Sequence, residues 1–84
     1  MNALVSIITP SYNSAKFIAE TIQSVQNQTY PNWEMIIVDD GSSDETESVV
    51  LNIIQKDNRI QFYKLTQNSG PAVARNTGIE KAKG

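Results

Sequence analysis

The sequence predicts an α/β fold: a parallel sheet of three strands alternating with three helices. Two observations carry this. Short β-branched runs recur at regular intervals, and each is followed by a stretch whose apolar residues fall at helical spacing. Strands separated by helices are joined by crossovers, which makes the sheet parallel. The length fits one domain spanning residues 1–84. The expected form is a three-layer, Rossmann-like half-domain with sheet order 3-2-1 and strand 1 at an edge. A sheet of only three strands is smaller than most parallel sheets. It reads as the first half of a nucleotide-binding domain.

Each element has its own signal. Leu4 to Thr9 is β-branched and stops at Pro10, so it reads as a buried strand. Asn13 or Ser14 can cap the helix that follows, in which Phe17, Ile18, Ile22 and Val25 share a face to about Gln28. Tyr30-Pro31-Asn32 breaks that helix. Trp33 to Val38 is a second apolar run, bounded by Asp39-Asp40-Gly41. Ser42 and Glu45 match a capping box, and Val49, Val50, Ile53 and Ile54 mark the next helical face up to Asp57-Asn58. Ile60 to Leu65 reads as the third strand and Asn68-Ser69-Gly70 as a loop. Pro71 suits a first helical position. Ala72, Val73, Ala74, Ile79 and Ala82 give the third helix a narrow apolar face, and Gly84 suits its end. A glycine at position 78, inside that helix, costs roughly 1 kcal/mol against alanine, which implies close packing there.

Composition removes whole classes of chemistry. Cysteine and histidine are both absent. That excludes disulfides, zinc sites of the Cys/His type, and Ser-His-Asp or Cys-His catalytic units. The longest apolar run is Met35 to Val38, too short to cross a bilayer, and the N-terminus does not resemble a signal peptide. A cytoplasmic location is expected. The formal net charge is −2. Residues 1–55 carry one base against seven acids, a net of −6, and residues 56–84 carry six bases against two acids, a net of +4. That asymmetry is either scatter over solvated helices or a weakly basic lobe facing an anion. No block of like charges exists, so nucleic acid is not an expected partner. Neither a Gly-x-Gly-x-x-Gly turn nor a Walker-type loop occurs.

Ligands of open parallel sheets bind outside the carboxyl ends of the strands. Three polar segments converge there: Thr9 to Asn13, Asp39 to Ser43, and Gln67 to Gly70. Asp39 and Asp40 are the sharpest pair. Alternation along a strand points their side chains apart, so that one is structural and the other faces ligand. A turn-forming and helix-capping role is the competing reading. Tyr12 can stack on a base, or simply pack. Arg75, near the start of the third helix, can pair with phosphate or with an Asp, or stand on the surface.

Together these residues resemble the N-terminal, nucleotide-sugar-binding half of family 2 glycosyltransferases of the GT-A fold. Val5-Ser6-Ile7-Ile8-Thr9-Pro10-Ser11-Tyr12-Asn13 looks like the family's opening strand and loop. Ser24-Val25-x-x-Gln28-Thr29-Tyr30 looks like the end of its first helix. Trp33 to Asp44 looks like its second strand and acidic turn. Asn68-x-Gly70-x-x-x-Ala74-Arg75-Asn76-x-Gly78 looks like its third helix.

The resemblance implies roles. Thr9, Pro10, Tyr12, Asp39, Asp40 and Arg75 are implied to bind the nucleotide. Pro10 and Tyr12 would lie against the base, Asp40 would bond base or ribose, and Asp39 would support the loop. Arg75 would sit near the uridine and diphosphate. The implied reaction is a transfer, usually inverting, of a sugar from a nucleotide-diphosphate donor (UDP-sugar foremost) to an acceptor hydroxyl. A carboxylate base and a divalent metal, Mn²⁺ or Mg²⁺, would assist. The metal's Asp-x-Asp ligands, the base and the acceptor site would all follow Gly84. The chain alone is therefore expected to be inactive. The intact protein would act in polysaccharide or glycoconjugate synthesis on a glycan or lipid-linked glycan, at the inner face of the membrane. The open edge of strand 1 invites self-association and dimer-like contacts. The rival readings are a stand-alone nucleotide-binding module and a structural domain without ligand.

Overall fold

A computed structural model describes residues 3–65 and 70–83. The element order is β1 (Val5–Ser11), α1 (Ile18–Gln26), β2 (Trp33–Asp39), α2 (Thr46–Ile54), β3 (Ile60–Lys64) and α3 (Pro71–Lys81). The three strands form one parallel sheet in the order β1-β2-β3, with Ser11 beside Asp39 and Asp39 beside Lys64 at the carboxyl rim. This is the expected order, with β1 at an edge.

β2 is central, and all seven of its residues are buried. Its side chains therefore feed two cores of opposite hand along the pleat. Trp33, Met35 and Ile37 join Ile18 and Ile22 of α1, Val50 of α2 and Ile60 of β3 on one face. Ile36 and Val38 meet Ala74 of α3 on the other, flanked by Tyr63, Leu65 and Ala82. Accordingly α1 packs on α2, while α3 lies over β1 and β2. The apolar run read from the sequence is continuous because both faces are covered.

Several boundaries move. β1 extends through Pro10 to Ser11. Proline is tolerated there because β1 is an edge strand. α1 starts at Ile18, not at a cap on Asn13 or Ser14. Asn13 instead takes a left-handed conformation (φ +48°), and the Ser14 carbonyl accepts from the Phe17 and Ile18 amides, both at 2.8 Å. Phe17, expected on the buried face, is 65% exposed because it precedes the first helical turn. The capping box at Ser42 and Glu45 does not form. α2 begins at Thr46, whose amide donates to Asp44 Oδ1 at 3.0 Å. Asn68 and Ser69 of the expected loop, and Gly84, lie outside the described residues.

α3 begins at Pro71 as expected, after Gly70 at φ +94°. Its buried face differs from expectation. Val73 and Ile79 are 45% and 56% exposed, and Ala72 is exposed. The line that meets the sheet is Ala74, Gly78 and Ala82, four residues apart, flanked by Val73 and Ile79 on either side. A Cβ on Gly78 would stand 2.4 Å from Ile8 Cγ2. That is the close packing the mid-helix glycine implies.

At the opposite end of the sheet Arg59 stacks 3.9 Å from the Trp33 ring centre. It grips Asp57 through Nε (3.0 Å) and Nη2 (2.9 Å). Those bonds hold the Asp57 carboxyl at a pKa of about 2, with Gln26 Nε2 assisting at 3.1 Å. Because the folded pKa lies below the unfolded one, this pair stabilises the fold above about pH 4 and stops doing so as pH falls towards 2. Asp57→Asn is expected to flatten the acid limb of the stability curve between pH 4 and 2, by on the order of 1 kcal/mol given the partial exposure of Arg59. Urea denaturation at several pH values reads this. Gly78→Ala is expected to cost about 1–3 kcal/mol through overpacking, and Ile8→Ala in the same chain should recover part of the loss.

Candidate functional site

The carboxyl rim is built around Asp39, which has no exposure. Its Oδ1 accepts from Ser11 Oγ at 2.9 Å and from Ser42 Oγ, and its Oδ2 accepts from the Ser42 amide at 2.7 Å. Both oxygens thus hold together the ends of β1 and β2 and the turn after β2. Gly41, at φ +79°, lets the chain reverse so that Ser42 returns to its anchor.

Ser42 also links the two loops. Its Oγ accepts from the Asn13 amide at 2.7 Å, and Asn13 Oδ1 accepts from the Ser43 amide at 2.9 Å. The Ser14 amide donates to Thr46 Oγ1 at 2.9 Å and the Ala15 amide to Asp44 Oδ2 at 3.1 Å. The Thr46 hydroxyl on Asp44, followed by the Thr46 and Ala15 amides, holds the Asp44 carboxyl below its ordinary range. Four hydrogen bonds therefore fuse the loop after β1 to the loop after β2 and the start of α2.

Asp40 points the other way, as alternation requires. It is 5% exposed, and its Oδ2 accepts from the Gly70 amide at 2.8 Å, at the start of α3. Asp40, Pro10, Ser11 and Tyr12 line an open pocket of about 160 Å³. Tyr12 is 50% exposed at its mouth. A second concavity follows on the other side of the turn, lined by Gly41, Ser42, Lys64 and Leu65, and Lys64 pairs with Glu47 of α2 at 3.1 Å.

Of the six candidate residues, the structure brings Pro10, Tyr12 and Asp40 to one pocket and puts Asp39 beneath it. Thr9 is half-buried in β1 beside Ile37 and does not line the pocket. Arg75 stands exposed on α3, four residues after Pro71. Sequence reading took Asn13 and Ser42 only as helix caps and gave Ser11, Asp44 and Thr46 no role in the site. Asn13 carried the one available signal, since Asn readily takes left-handed turn positions. No group of three or more Asp or Glu residues arranged to hold a metal occurs among the described residues.

The chain is thus an α/β domain of the open parallel-sheet class, with a pocket at the carboxyl ends of its first two strands, where such sheets take up ligands. The match is specific: residues 6–84 fit the model of Glycosyl transferase family 2, and the chain belongs to that family. It is 51% identical over 81 residues to the putative teichuronic acid biosynthesis glycosyltransferase TuaG of Bacillus subtilis, covering 96% of this chain and 32% of that protein. It is 47% identical over 81 residues to the Escherichia coli UDP-Glc:alpha-D-GlcNAc-diphosphoundecaprenol beta-1,3-glucosyltransferase WfgD, covering 96% of this chain and 31% of that protein. The chain thus spans about a third of the length of these relatives.

Solved structures agree. TarS of S. aureus in complex with UDP-GlcNAc matches with a TM-score of 0.89 and 33% identity, over 98% of this chain and 24% of that one. The mannosyltransferase PcManGT of Pyrobaculum calidifontis, in complex with GDP-Man and Mn²⁺, matches with a TM-score of 0.88 and 31% identity, over 94% and 24%. The fold is therefore the first part of the GT-A architecture, as the resemblance implied.

Ser42→Ala is expected to cost about 1–3 kcal/mol, because it removes one donor to buried Asp39 and the acceptor of the Asn13 amide. Ser43→Ala, at an exposed side chain, should stay within about 0.5 kcal/mol of the unsubstituted protein. Thermal or urea unfolding of the pair measures both.

Proposed function

We propose that the chain is the donor-nucleotide-binding portion of a glycosyltransferase that moves a sugar from a nucleotide diphosphate, a UDP-sugar foremost, to an acceptor hydroxyl. The observation that carries this reading is the pocket at the carboxyl rim, where Asp40, Pro10 and Tyr12 meet over a turn held by Asp39. A half-exposed tyrosine beside a proline offers a face for a nucleobase. A carboxylate at the floor accepts hydrogen bonds from base or ribose. Arg75 and the basic balance of residues 56–84 suit the diphosphate. Family membership supports the transferase reading. TarS in complex with UDP-GlcNAc and WfgD, a UDP-Glc-dependent relative, favour uridine, while PcManGT holds GDP-Man.

The transferring groups lie elsewhere in this reading. General base and acceptor site belong to sequence beyond residue 84, and so do the ligands of the divalent cation, Mn²⁺ or Mg²⁺. Residues 1–84 alone do not transfer sugar. Inversion at the anomeric carbon, a glycan or lipid-linked acceptor, and work at the inner face of the membrane belong to the same proposal. No helix among the described residues is long and apolar enough to cross a membrane.

Calorimetry of the intact protein with UDP and Mn²⁺ tests the site. Asp40→Ala is expected to weaken UDP at least tenfold. Tyr12→Ala should cost about 1–3 kcal/mol of binding through lost stacking, whereas Tyr12→Phe keeps most of it. Unchanged UDP affinity in a folded Asp40→Ala protein would sink the reading.

A further inference from the structure

Glu34 is a carboxylate where the sequence shows only an apolar strand. It is 6% exposed, within β2, on the α3 side of the sheet. Its Oε2 accepts from Ser6 Oγ of β1 at 2.5 Å and from the Lys83 amide at 2.6 Å, and its Oε1 accepts from Gln61 Nε2 of β3 at 3.3 Å. Tyr63 in turn donates to Gln61 Oε1 at 2.7 Å. Glu34 thus ties all three strands to the backbone just after α3.

The other end of α3 is held in the same manner. Asp40 Oδ2 accepts from the Gly70 amide at 2.8 Å. Glu34 lies in β2 and Asp40 directly follows its last residue, six positions on. At about 3.3 Å per residue they are about 20 Å apart. The eleven residues of α3, at about 1.5 Å each, cover most of that length. α3 therefore runs antiparallel to β2, and the chain at each of its ends is bonded to one of these two carboxylates. Between those ends Ala74 and Gly78 are buried on the sheet, and Gly78 leaves no room for even a Cβ against Ile8. A helix so closely seated moves along its axis as one body.

We infer that Glu34 is a positioning residue of the donor site: by fixing the C-terminal end of α3 it sets the Gly70 amide on Asp40. This rests on the donor reading for its effect on nucleotide, but the clamp itself can be read without any ligand. Glu34→Gln sets an NH₂ group against either the Lys83 amide or the Gln61 amide. Lys83→Pro removes the one donor and leaves Glu34 intact. Ala82 is already extended (ψ 141°), as a residue before proline must be.

Amide hydrogen exchange and UDP titration of the intact protein test this. In Glu34→Gln and in Lys83→Pro, exchange at Gly70 is expected to rise tenfold or more while α1 and α2 keep their protection, and the Kd for UDP to rise at least threefold. In an Asp40→Ala background, Lys83→Pro should add no further loss of UDP affinity. Faster exchange confined to the last turn of α3, with Gly70 unchanged, overturns the inference. So does a loss of UDP affinity that is the same with and without Asp40. If Glu34→Gln does not fold, Lys83→Pro alone decides. If the unsubstituted protein does not bind UDP, the donor reading falls, and Gly70 exchange still decides the clamp.

Discussion

The carboxyl rim depends on one buried charge. Asp39 has no exposure, and an ionised carboxylate so placed is tolerated only when its oxygens are hydrogen-bonded. Ser11 and Ser42 supply those bonds, and in doing so they bring together the ends of β1 and β2 and the turn after β2. The remaining loop contacts build on that. Ser42, once fixed, accepts from Asn13, and Asn13 accepts from Ser43, so the loop after β1 takes its shape from the loop after β2. Tyr12, between Ser11 and Asn13 in the chain, is thereby held at both sides. A pocket wall on a loop acquires the rigidity of the sheet beneath it, which is what a preorganised binding site requires.

The same strand explains why two adjacent aspartates serve unlike ends. Alternation along β2 sends odd positions to the α1/α2 side and even positions to the α3 side. Asp39 follows Trp33, Met35 and Ile37, and Asp40 follows Ile36 and Val38. One carboxylate closes the rim from below. The other sits between the start of α3 and the pocket. Neither role follows from acidity alone; each follows from which face of the pleat the residue occupies.

That division was legible in the sequence because it needs only the strand's period. So were the element order, the sheet's direction, the central place of the Trp33–Asp39 run and the close approach at Gly78. What was not legible depends on partners far away in the chain. Ser42 sits three residues before a Glu and so satisfies the spacing of a capping box, yet buried Asp39 competes for it and wins, leaving Asp44 to cap α2. Asn13 and Asp44 act across a gap of about thirty residues that no local rule spans. Val73 and Ile79 are the larger apolar residues of α3, but the helix lies too close to the sheet for them. The small residues Ala74 and Gly78 face inward instead. Glu34 was hidden for the opposite reason, a polar residue within an apolar run and bonded to three separate elements.

Close seating of α3 and its end-on bonds are two aspects of one design. A helix packed through large side chains can slide by small rotamer adjustments, because those side chains absorb the movement. A helix packed through Ala and Gly has its backbone against the sheet and nothing to adjust. Its axial position must then be set where polar groups meet at its ends. Gly70 has an amide to donate and no side chain in the way; the chain after Ala82 has the Lys83 amide. Both donate to buried carboxylates, one within β2 and one directly after it, and so the central strand of the sheet fixes the helix. Distance from the pocket is then no measure of influence on it: Glu34, at the far end of β2, bears on Asp40 through the eleven residues of α3.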